Sequence, residues 1–77
     1  MKKISLVKMK ENQKGKVIEV SGGGSLYNKL MSLGIYPGRE ITKLSNFAMR
    51  GPVTLKVGRS VFALGHGMAA KITVETE

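Results

Sequence analysis

From Val53 to Leu64 the chain reads V-T-L-K-V-G-R-S-V-F-A-L, and no other stretch constrains the fold as much. Before Gly58-Arg59 apolar and polar residues alternate, which is the period of a strand, and after it Ser60 leads into the apolar run Val61-Phe62-Ala63-Leu64. Glycine at the first of two central residues meets the type II′ requirement for positive φ at that position. With that turn, Val57 pairs with Ser60, Leu55 with Phe62 and Val53 with Leu64. Directly opposed residues share a face. One face therefore carries Val53, Leu55, Val57, Phe62 and Leu64, and the other Thr54, Lys56, Val61 and Ala63. The first face is read as core. A slip of one residue would turn the apolar set toward water, so the register is strongly specified.

One stretch has the marks of a helix, Ser25 to Gly38. Ser25 is a candidate N-cap, although Asn28 leaves the capping box incomplete. Leu26, Leu30 and Leu33 form an apolar stripe at i, i+4 and i+7. Gly34 supplies a left-handed end, where Ile35 can fold back on Leu30. Pro37-Gly38 then turns the chain. A short helix over about 25–33 is expected.

Around this helix the remaining elements are strands. Ile4 to Val7 is a short apolar segment and a candidate strand, and Val7 to Gln13 has room for one helical turn. Gly15 opens a strand through Lys16-Val17-Ile18-Glu19-Val20. Ser21-Gly22-Gly23-Gly24 lacks the Gly-Lys-Ser/Thr ending of a phosphate loop and is read as a connector. In Arg39 to Phe47, Ile41 and Phe47 share one parity and Leu44 has the other, which predicts a bulge or bend. Ala48 to Pro52 is a loop. Gly65 to Ala70 is read as a loop with room for one tight helical turn, and Ile72 and Val74 point inward from a last strand. About five short strands with glycine-rich turns, and one helix after the first barrel strand, suggest a mainly β protein built as a small barrel.

Seventy-seven residues with no cysteine make one domain, spanning 1–77, with no disulfide framework and no thiolate metal site. Lys8 and Lys10 interrupt the apolar run of the N-terminal segment at once, so a signal peptide is not expected. No run approaches the ~18 apolar residues of a membrane span. A soluble, cytoplasmic protein is expected. Thirteen Lys and Arg against five Glu give a net charge of +8. That excess points to an anionic partner: nucleic acid, an acidic membrane face or an acidic protein surface.

No catalytic constellation is visible, and an enzyme is not expected. His66 is the one histidine and the only candidate metal ligand. A lone imidazole between glycines lacks the several ligands a site requires, so no cofactor or metal site is assigned.

Lys29 to Gly38, K-L-M-S-L-G-I-Y-P-G, resembles the signature of the ferrous iron transport protein A (FeoA) family. The resemblance continues through Gly51-Pro52-Val53, Val61-Phe62-Ala63-Leu64-Gly65, Met68-Ala69-Ala70 and Ile72-Thr73-Val74, and so covers Leu6 to Val74. It implies an SH3-like β-barrel. It also implies a cytoplasmic accessory role in bacterial ferrous iron uptake, exercised on the cytoplasmic part of the FeoB-type GTPase transporter at the inner face of the membrane. Similar modules close iron-dependent repressors, whose DNA-binding helices this chain lacks. The positions carried over are Leu33, Gly34, Pro37 and Gly38, all read as structural.

Candidate partner-binding residues follow from apolar side chains beside the helix stripe and at a loop. Tyr27 and Met31, at i and i+4 beside the leucine stripe, either widen the buried face or form a docking patch with Tyr36. Phe47 and Met49, with Ala48 between them, are a second apolar candidate at a loop. An alternative function is RNA binding. Lys14 to Val20 resembles the start of a KOW motif, and Lys16, Lys43, Lys56, Arg59 and Lys71 would then meet phosphates. Four aromatic residues are few for that role, so nucleic acid is the less expected partner. Ferrous iron carriage would need a ligand cluster that His66 and five dispersed Glu do not supply.

Overall fold

The computed structural model describes residues 2–46 and 51–77. Six strands form one antiparallel sheet: β1 (Lys2–Ser5), β2 (Lys14–Val20), β3 (Glu40–Asn46), β4 (Val53–Val57), β5 (Ser60–Leu64) and β6 (Ile72–Thr76). Helix α1 (Gly24–Ser32) lies between β2 and β3, and the short α2 (His66–Ala69) between β5 and β6. The strand order is β1-β6-β2-β3-β4-β5. The expected mainly β fold is the one that forms, with six strands rather than about five and a sheet that is not closed. The strand beyond those five is β1, which overlaps the candidate strand at Ile4–Val7 but begins earlier, at Lys2, and pairs with β6. A 3₁₀ turn at Leu6–Lys8 then replaces the end of that segment.

The β4–β5 hairpin has the register the alternation demands: Val53 opposite Leu64, Leu55 opposite Phe62, Val57 opposite Ser60. Gly58 has φ 61°, as the II′ turn requires. Val53, Leu55, Val57 and Leu64 are buried, while Phe62 is only half-buried. The break in parity along β3 is a bulge, because the register with β4 shifts between Lys43 and Ser45 and leaves Leu44 over. A second bulge lies in β2 against β6, between Val17 and Glu19.

β2 begins at Lys14, and Gly15 lies within the strand rather than before it. A Cβ there would sit 3.1 Å from Met9 Cε, 3.2 Å from Thr76 Cγ2 and 3.3 Å from Val74 Cβ, so only hydrogen fits comfortably. Leu6, Met9, Val17, Leu30, Ile35, Ile41, Leu55, Ile72 and Val74 complete the core with the hairpin.

The helix starts earlier than its sequence suggests. Gly23 is the N-cap, with φ 96° and no side-chain cap bond, and Ser25 lies inside the first turn. Positive φ at Gly22 and Gly23 aims the chain into the helix before a serine cap is needed. The C-terminus follows the expected stop. The Ile35 N–H donates to Leu30 O at 2.9 Å and the Gly34 N–H to Met31 O at 2.9 Å, the paired bonds of a Schellman motif. Gly34 has φ 88°, and Leu30 and Ile35 are both buried.

Candidate functional site

The turn after α1 and the tip of the β4–β5 hairpin meet, through Arg39 at Gly58 and Gly34 at Val57. Pro37 and Gly38 occupy the centre of a β-turn closed by the Arg39 N–H donating to Tyr36 O at 3.0 Å. Gly38 has φ 97°, which with Pro37 before it gives a type II turn. The turn is tied to the sheet on both sides: Gly38 N–H to Val17 O at 2.7 Å, and Val17 N–H to Arg39 O at 2.8 Å.

A four-residue turn brings its first and last side chains together. Arg39 Nη1 donates to the Tyr36 hydroxyl at 3.3 Å, and the guanidinium carbon lies 5.9 Å from the Tyr36 ring centre. The same guanidinium reaches the hairpin tip, where Nη2 is 2.6 Å from the place a Cβ on Gly58 would occupy. Gly34, ending α1, faces the same strand end, with its Cβ position 3.5 Å from Val57 Cγ1. Arg39 thus ties the Tyr36 turn to the hairpin tip. Sequence reasoning missed it, although its place three residues after Tyr36 across Pro-Gly was a usable signal.

Of the expected contact residues, Tyr27 is half-buried and Met31 is 45% exposed on α1. Tyr36 is half-buried against Arg39. Phe47 and Met49 lie outside the described residues. Val61, which the alternation had placed on the non-core face, is 57% exposed on β5. Leu33, Gly34, Pro37 and Gly38 all serve the helix end and the turn. His66 is half-buried at the start of α2. Among the described residues, no group of three or more His, Cys, Asp or Glu side chains could hold a metal ion.

Lys43 corrects the set of basic residues suggested for phosphate contact. Its side chain is fully buried, and Nζ donates to the carbonyls of Val7 and Met9 at 2.8 Å each. Its backbone bonds the same region, N–H to Gln13 O at 2.9 Å and C=O from Asn12 N–H at 2.6 Å. Burial lowers the Lys43 pKa below its ordinary value. Lys16, Lys56, Arg59 and Lys71 are exposed. A hollow of about 490 Å³ beside β2 and the end of β6 is lined by Lys14 and Lys16 together with Glu40, Glu75 and Glu77. Its mixed charge gives it no preference for anions.

No helix among the described residues is long and apolar enough to cross a membrane. The FeoA domain family matches residues 4–76. The crystal structure of an iron uptake regulatory protein (FeoA) is 32% identical over the whole of both chains, with a TM-score of 0.88. The NMR structure of a FeoA-like protein from Clostridium acetobutylicum is 29% identical, over 99% of this chain and 88% of that one, with a TM-score of 0.83. A manganese-dependent transcriptional repressor shares the fold over 97% of this chain and 42% of its own, at 18% identity and a TM-score of 0.87. No curated protein matches the sequence. The fold is SH3-like, and with a family match running nearly end to end, the chain belongs to the FeoA domain family, which ties it to ferrous iron transport.

Proposed function

We propose that this protein is an accessory component of ferrous iron uptake that works by docking on the cytoplasmic part of a FeoB-type GTPase transporter. Family membership over residues 4–76 is the observation that carries the reading. The chemistry of the surface supports it. What the molecule presents are binding groups: Met31 on α1, the Tyr36–Arg39 pair, and a cationic hairpin tip. A partner surface with acidic and apolar character suits that combination.

The test is direct binding between the purified chain and the cytoplasmic part of the transporter, after nuclease treatment and at moderate salt. Saturable binding that weakens with Met31→Ser, while the melting temperature holds, is the expected result. No binding at any salt concentration would overturn the reading. Binding to RNA instead, with Lys56→Ala and Arg59→Ala weakening it, would transfer the function to the basic surface.

A further inference from the structure

The two edges of the sheet are unlike. β1 is one edge and β5 the other. An edge strand offers a row of unpaired backbone groups, and proteins commonly guard it with lysine, proline or a bulge. β1 carries Lys2 and Lys3, both exposed. β5 reads Ser60-Val61-Phe62-Ala63-Leu64, with no charge and no proline, and its register against β4 is unbroken. Among the described residues no backbone bond reaches its outer side.

The hairpin fixes which groups are free. In a two-residue hairpin the pair flanking the turn exchanges both backbone bonds, and the pattern alternates from there. Ser60, Phe62 and Leu64 therefore bond inward to β4. Val61 and Ala63 direct their N–H and C=O groups outward. Val61 also exposes 57% of its surface there.

The charge around this edge has one sign. From Ile41 to Val74 there is no Asp or Glu. Lys56 stands opposite Val61, Arg59 is exposed in the turn, and the Arg39 guanidinium lies against Gly58. Glu40, across from Lys16, lies two strands in from this edge. A second copy of the chain fits poorly. Each copy carries a net charge of +8, and a five-residue edge falls well short of the roughly 1,200 Å² that a stable interface buries.

We propose that the outer edge of β5 takes an extended, acidic segment of a protein partner as a seventh strand. Val61 and Ala63 supply the backbone bonds, and Lys56, Arg59 and Arg39 attract the acidic side chains. This names the docking surface for the accessory role proposed above and rests on that reading.

The test uses the ¹⁵N-labelled chain and three synthetic peptides: one alternating Glu with Val and Thr, one with Lys in place of Glu, and one acidic but interrupted by Pro. The first should shift the Val61 and Ala63 amides saturably, slow their hydrogen exchange and lose affinity as salt rises. The other two should bind at least about tenfold more weakly, and so should the first peptide to Ala63→Pro, since tenfold corresponds to about 1.4 kcal/mol. Proline is tolerated at that position because its N–H faces away from β4. Equal binding by the interrupted peptide, or shifts centred elsewhere, would overturn the proposal. So would a concentration-dependent dimer that Ala63→Pro abolishes, since a second copy would then hold the edge. The two readings fail differently. If the transporter's cytoplasmic part binds wild type and Ala63→Pro equally, the accessory role stands and the β5 edge falls. If it binds neither while the acidic peptide still shifts Val61 and Ala63, the edge stands and the transporter is the wrong partner.

Discussion

Replacing Lys43 with Met is predicted to destabilise the protein by about 2 kcal/mol. Met fills nearly the same volume, so the cavity term is small. What is lost is the ammonium that bonds the carbonyls of Val7 and Met9 at 2.8 Å each. A buried acceptor left without a donor costs about 1–3 kcal/mol, or about 2–6 for the pair. Taking the charge out of the interior returns part of this, because burying an ion costs several kcal/mol. The balance stays unfavourable, since both carbonyls remain between the 3₁₀ turn and the sheet. About 2 kcal/mol is a large share of the 4–12 kcal/mol expected for a domain of this length. At roughly 4–8 °C per kcal/mol, the melting temperature should fall by about 8–16 °C. Thermal and urea unfolding would measure it, with exposed Lys56→Met as a control that should stay within about 0.5 kcal/mol. A Lys43→Met protein as stable as wild type would refute the reasoning, because the two carbonyls would then not depend on the ammonium.

Four further outcomes are expected. The lowered pKa of Lys43 means the unfolded chain holds its proton more tightly, so wild-type stability should rise as pH climbs through the lowered folded value toward 10.5, and Lys43→Met should lack that rise in urea titrations. Gly34→Ala should cost about 1–2 kcal/mol through backbone conformation alone, since φ is 88° but the nearest atom is an ordinary 3.5 Å away; a loss under about 0.3 kcal/mol in urea would contradict this. Gly15→Ala should cost about 1–3 kcal/mol by overpacking, because Met9, Thr76 and Val74 close in on three sides, and a more stable variant would contradict it. Leu55→Ala, in the centre of the hairpin face, should cost about 2–5 kcal/mol and so lower the melting temperature followed by circular dichroism by at least about 8 °C; an unchanged melting temperature would contradict it.

How far the sequence could be read depended on how local the deciding forces are. The hairpin register and the end of α1 were legible because Gly58, Gly34 and Ile35 act on residues within a few positions of themselves. β1 was harder, since its partner strand β6 lies some seventy residues away and Lys2-Lys3 gives no alternation. Ser25 misled because a cap was expected where two positive-φ glycines already supply the entry. Lys43 shares the parity of Ile41, so alternation alone put it on the inner face. Charge argued the other way, and only the carbonyls of a distant segment reverse that. The candidate surface was half legible: Tyr36 and Met31 stood out by type, whereas Arg39 gains its role from Gly58, a residue on another element.

The position of β6 has a consequence for biosynthesis. It stands between β1 and β2, yet it is made after both. While the chain emerges from the ribosome, β2 can pair only with β3, and β1 has no partner. The sheet therefore cannot grow strand by strand in the order of synthesis, and its assembly waits until β6 has been made and inserted. Contacts of such large sequence separation slow folding. A nascent chain paused before Ile72 would show two unfilled strand edges to whatever chaperone is nearby.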